Sequence, residues 1–240
     1  MNIRGAFVVV LLAMAISVFR PADAKVFKVD GTLIDLFVPE DYCVLSRDDA
    51  TENLFYKQQD TVQAGVNRVI AIVADCDRVK AFHQGNRLDE YGVWLLNSPN
   101  GTPVRLPANY GRARALKELA AVVPKIDLDE INSKANTAVG KVGAAAKILS
   151  YGMIAKDDNA IYSGLLATYS MQNTGPQKMA GVIALTTLQN RILTFNLYSP
   201  FYNHKTFDGL LENSKGIIRQ TVANDGDQSL PKGMSKPAAK

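Results

Sequence analysis

The chain has 240 residues, of which 47% are hydrophobic and 21% charged, with a formal net charge of +4. These values are those of an ordinary globular protein with one sizeable core. The small basic surplus, with no cluster of Lys and Arg interleaved with aromatics, excludes a dedicated nucleic-acid domain.

Residues 1–24 read as a signal peptide. Arg4 supplies the positive start and Ala6 to Phe19 an uncharged, almost wholly apolar stretch. Ala22-Asp23-Ala24 is a cleavage site of the A-x-A kind. The apolar stretch falls short of the roughly 20 residues a spanning helix needs. Arg20 and Pro21 close it off, so a removed leader is favoured over a retained anchor. The expected location is periplasmic or secreted after cleavage following Ala24, with no transmembrane span left in the mature chain.

The next elements are short strands at Val26 to Val29 and Thr32 to Val38, divided by the Asp30-Gly31 turn and ended by Pro39. A helix over roughly 49 to 62 follows, with Asp48 and Asp49 at its start and Gly65 as its stop. Val66 to Ala74 predicts a central strand, since both faces are apolar. On it Ile70, Ile72, Ala74 and Cys76 face one way, and Val69, Ala71 and Val73 the other. Another strand, Tyr91 to Leu96, runs into the turn-rich Ser98 to Pro103.

The middle predicts helices at Arg112 to Val123, ended by Pro124, and at about Leu128 to Leu149. The second has Asp127 as N-cap and a stripe of mostly small residues from Ile131 to Leu149. Two hairpins follow, Ile148 to Ala155 with Ile161 to Met171, and Val182 to Leu188 with Ile192 to Tyr198. A closing helix is expected over about Lys205 to Thr221. The predicted architecture is a single α+β domain over residues 25–223, a mostly antiparallel sheet with helices packed on it. Residues 224–240, with Leu230 and Met234 as their only large apolar groups, read as a disordered tail.

Cys43 and Cys76 are the only cysteines. In an oxidising compartment an even pair reads first as a disulfide, worth roughly 3.5–4 kcal/mol by loop-closure entropy. A redox or nucleophilic thiol is the competing reading, but no C-x-x-C spacing exists and neither His83 nor His204 is near in sequence.

The catalytic inventory is thin: no H-E-x-x-H, no G-x-S-x-G, no Walker A loop and no G-x-G-x-x-G. The two histidines, far apart, form no ready metal cluster. No cofactor is expected. Asp75 and Asp77 would share a face of an extended strand, as an acid–base pair or as the end of a strand reaching water. His83 is expected to be solvated or hydrogen-bonded. Tyr198, Phe201, Tyr202 and His204 form the candidate partner surface, three aromatics and a histidine between the last strand and the last helix. The bland alternative is a hydrophobic staple under a helix capped by Asn203.

The stretch Val38-Pro39-Glu40-Asp41-Tyr42-Cys43, with Asn67-Arg68-Val69 and Ala74-Asp75-Cys76, resembles a family of exported proteobacterial proteins. That family carries V/I-P-x-G-Y-C before an N-R…A-D-C strand; here Asp41 stands in place of the glycine. The resemblance spans about the first third of the mature chain and implies the cysteine pair and the compartment, with no activity attached. In order of elements the chain also resembles the PsbP/Mog1/DcrB-like α+β fold, whose members are mostly accessory or assembly factors.

These readings lead to an exported accessory or binding protein without an evident catalytic site. Two alternatives stay open: an envelope hydrolase with His83 or His204 beside Asp or Ser, and a peripheral membrane protein held by the helix carrying Lys134, Lys141 and Lys147.

Overall fold

The computed structural model describes residues 24–123, 129, 133, 137, 145–170 and 176–225. Residues 1–23 of the expected leader (1–24) and residues 226–240 of the expected tail (224–240) therefore lie outside the described residues. Two strands, β1 (Ala24–Val29) and β2 (Thr32–Phe37), form a separate antiparallel hairpin. Its two turn residues, Asp30 and Gly31, both take positive φ (49° and 76°), which matches the twist of the strands they join.

The remaining strands are β3 (Tyr42–Val44), β4 (Asn67–Asp75), β5 (Tyr91–Asn97), β6 (Ala145–Lys156), β7 (Ile161–Ser170), β8 (Gln177–Leu188) and β9 (Arg191–Pro200). They build one seven-stranded sheet in the order β3-β4-β5-β9-β8-β7-β6, every neighbouring pair antiparallel. The α+β class and the two late hairpins are as predicted. Asp157 Oδ1 closes the first hairpin by accepting from Asn159 and Ala160 N–H at 2.8 and 2.9 Å. Gln189 and Asn190 close the second with φ of 48° and 56°.

Helices cover both faces. α1 (Ala50–Gln63) starts at Asp49, whose side chain accepts from Thr51 and Glu52 N–H. α2 (Cys76–His83) starts at Asp75, which caps Asp77 and Arg78 N–H in the same way. Both pack over Ile72, Ala74, Val93 and Leu95 on one face of the sheet. α3 (Arg112–Val122) buries Ala115 and Leu116 and lies near β8. On the opposite face α4 (His204–Asn224) lays Leu210, Ile217 and Ile218 over Trp94, Phe195 and Val182. Fully burying one such Ile is worth about 1.5–3 kcal/mol. The Phe37 N–H donates to Thr221 Oγ1 at 3.0 Å and ties the β1–β2 hairpin to α4.

The disulfide forms. Cys43 in β3 joins Cys76 at the head of α2, with Cα atoms 4.9 Å apart. It fastens the short edge strand of the sheet to the helix that follows β4.

Four expectations are corrected. Asp75 and Asp77 do not share a strand face, because the chain turns into α2 at Cys76 and Asp75 becomes its cap. A register shift between Val69 and Ala71 puts Val69 on the side of Ile72 and packs Ile70 against the opposite core. Ala145 to Leu149 belong to β6, paired with β7 from Ser170 to Leu166, and are not the end of a helix. Of the helix expected before them, Asp129, Ser133 and Thr137 are helical and the rest lies outside the described residues. α4 also continues to Asn224, past the expected Thr221, with Asp225 buried beyond it. No helix among the described residues is long and apolar enough to cross a membrane.

Candidate binding cleft at the β6 edge

β6 is the last strand of the sheet, and its pairing with β7 slips twice, between Ser150 and Gly152 and between Met153 and Ala155. Each slip leaves one residue out of register, first Tyr151 and then Ile154. Such bulges re-aim side chains. Here both extra residues turn to the α4 side, over a glycine pair formed by Gly152 and Gly164. A Cβ on Gly164 would meet Ile154 Cγ2 at 3.3 Å and Tyr151 Cβ at 3.5 Å. Gly152 itself takes φ 66°, a conformation that glycine adopts without steric cost.

Tyr151 meets the Phe207 ring of α4 edge-on, with centroids 5.3 Å apart. Between them opens a cleft of about 300 Å³ lined by Tyr151, Ile154, His204, Phe207, Asp208 and Leu211. Its walls are apolar, and His204 and Asp208 supply the polar groups of the lining. The strand beside it is unusually exposed for its composition: Leu149 is 52%, Tyr151 50%, Met153 43% and Ile154 39% accessible. Four large apolar groups concentrated on one edge strand are the feature that marks interaction surfaces.

Of the candidate partner surface, Phe201, Tyr202 and His204 lie together beside this cleft and Tyr198 does not. Phe201 packs on Phe207 at 5.8 Å and belongs with the core under α4. Tyr202 is 79% exposed, and the His204 ring stands 6.5 Å from that of Phe201. Asn203 caps α4 in a capping box with Thr206, so the capping role and the exposed aromatic coexist. Tyr198 points through the sheet to the α1–α2 side. It stacks near Tyr91 at 5.2 Å and its hydroxyl accepts from Asn196 Nδ2 at 3.2 Å. Gly181 makes room for it, since a Cβ there would stand 2.9 Å from the Tyr198 ring. Burial pushes the Tyr198 hydroxyl pKa up, and the ring packs with Tyr91 against the core under α1 and α2.

A second, larger cleft of about 370 Å³ runs between the β2–β3 connection and the middle of α4, with Phe37, Pro39, Tyr42, Ile217 and Arg219 on its walls. Burial and the nearby carboxylates of Glu90, Asp41 and Asp75 push the Tyr42 phenol up to about 12. It stays protonated near neutral pH.

His83 is hydrogen-bonded. Its Nε2 lies 2.7 Å from Glu52 Oε1 and its Nδ1 4.0 Å from Asp49 Oδ1. Both ring nitrogens face carboxylates, which leaves neither aimed at a hydroxyl nucleophile. Glu52, Tyr151, Ile154 and Phe207 are the residues that motif reading passes over.

No family model matches the chain, and no curated protein matches it. Among solved structures it is similar to cyanobacterial PsbP (CyanoP) from Synechocystis sp. PCC 6803, determined in solution. The identity is 12%, over 83% of this chain and 93% of that one, with a TM-score of 0.38. Nothing about activity follows from a likeness of that degree.

Proposed function

We propose that the protein is an exported accessory or binding protein, without catalysis of its own, that engages a partner through the β6–α4 cleft. The observation that carries this reading is the concentration of exposed Leu149, Tyr151, Met153 and Ile154 on a terminal strand beside an apolar cleft. Among the described residues no strand pairs beyond β6; such an edge offers backbone N–H and C=O groups, and adjacent pockets take alternate side chains, which suits an extended apolar peptide segment. Export is supported by the leader pattern and by the Cys43–Cys76 disulfide. The hydrolase alternative keeps His204, which lines the same cleft as Asp208; His83 serves it less well, since both of its ring nitrogens face carboxylates.

A photo-crosslinking residue in place of Tyr151, activated in intact cells, should give a discrete covalent adduct. The same probe in place of Leu54, which is 60% exposed on α1, should not. Equal labelling from both positions, or none from Tyr151, would sink the reading. Flotation with anionic vesicles that Tyr151→Asp abolishes would reassign the surface to lipid.

A further inference from the structure

Away from the cleft, the start of α1 and the end of α2 bring an imidazole and two carboxylates to one point. Asp49 is the α1 cap and Glu52 sits three residues on, so both project from the same side of the first turn. His83 is the last residue of α2. Ligand atoms from the three groups all lie within 4.8 Å of one another.

The arrangement is held from several directions. The Cys43–Cys76 disulfide fixes the start of α2. Tyr56 pins α1 to the sheet, donating to Leu45 C=O and accepting from Ile72 N–H, both at 3.1 Å. Ser46 N–H donates to Glu52 Oε2 at 2.5 Å, and Thr51 and Glu52 N–H hold Asp49 Oδ1 at 2.9 Å. These backbone donors orient the carboxylates as outer-shell partners orient metal ligands.

Glu52 is only 7% exposed, and a buried carboxylate requires a counter-charge. We propose that Asp49, Glu52 and His83 bind a single divalent transition ion of the zinc type. One imidazole nitrogen with two carboxylate oxygens favours zinc-like ions over magnesium or calcium. Three protein ligands leave a fourth position for water, and the side chains of His83 and Asp49, 38% and 40% exposed, border solvent there. The helix dipoles oppose each other at this point, since α1 begins and α2 ends; the positive end that disfavours a cation is offset by the negative one. On binding, the ion replaces the hydrogen bond between His83 Nε2 and Glu52 Oε1, and its hydrogen moves to the other ring nitrogen or to solvent.

The test is titration of the full chain with Zn²⁺ by calorimetry, with Co²⁺ absorption as a second readout. One equivalent should bind, weakened about tenfold or more in His83→Ala and unchanged in Asp77→Asn, an exposed carboxylate on the same helix. The chain has two histidines, so in the unsubstituted protein the His83 imidazole resonances should move with Zn²⁺ while those of His204 stay. Absence of saturable binding, equal movement of both histidines, or full affinity in His83→Ala overturns the proposal.

Discussion

The ring of Phe195 lies where a side chain on Gly92 would begin: a Cβ at position 92 would stand 2.6 Å from both Phe195 Cε2 and Cζ. Phe195 is fully buried and rests on Trp94 with centroids 4.8 Å apart, so it has nowhere to move. Val73 Cγ2 closes the other side at 3.0 Å. Gly92→Ala should therefore cost about 1–3 kcal/mol through overpacking. Gly216→Ala on α4, where nothing lies within 4 Å, should instead stabilise by about 0.5–1 kcal/mol. Urea midpoints of the two variants decide between opposite signs.

The Cys43–Cys76 bond spans 33 residues. Its loss should lower stability by roughly 3.5–4 kcal/mol through loop-closure entropy, read from urea unfolding with and without reductant. Material isolated under alkylating conditions should show no free thiol until it is reduced. Two free thiols at the outset would also remove the disulfide as a support for export.

Asn203 and Tyr202 are neighbours whose expected effects differ in size. Asn203→Ala removes the α4 cap and should cost about 1 kcal/mol. Tyr202→Ala, at a largely exposed side chain, should change stability by no more than about 0.5 kcal/mol. A large loss from the second would mean that Tyr202 is part of the packed frame and not a contact group.

Asp225 gives a pH signature. Burial raises its pKa, against the hydrogen bond from Gln189 Nε2 at 2.7 Å and Arg112 at 3.7 Å. A carboxyl whose folded pKa lies above the unfolded value binds its proton more tightly when folded. Its contribution to stability is thus complete below about pH 4 and is lost as pH rises through the folded pKa. Asp225→Asn removes that loss, so the variant should gain on the parent as pH rises across the interval. A pH-independent difference between their urea midpoints contradicts this.

Strand positions and both late hairpins were legible because alternating apolar runs and the turns Asp157 to Ala160 and Gln189-Asn190 are local signals. The eight-residue α2 was not, since its single buried residue, Val79, is too little to show a helical period. Ala145 to Leu149 have the composition of a helix, and pairing with β7 overrides it. At the site, Tyr198, Phe201, Tyr202 and His204 are adjacent in sequence, yet Tyr198 projects to the other side of the sheet. Tyr151 and Ile154 escaped for the reverse reason. An odd and an even position share a side only because two bulges intervene, which no period-two reading anticipates. The Asp49–Glu52–His83 group joins residues 31 apart, a proximity set by tertiary packing.

The two rims of the large sheet are finished differently. The β3 rim is three residues long and covalently bolted to α2, whereas the twelve-residue β6 rim carries no strand beyond it among the described residues. A second copy of this chain that paired through its own β6 rim would use that rim up. Such a pairing is two-fold and closed: each copy meets the other through the same strand, and lateral growth along that rim stops at one step.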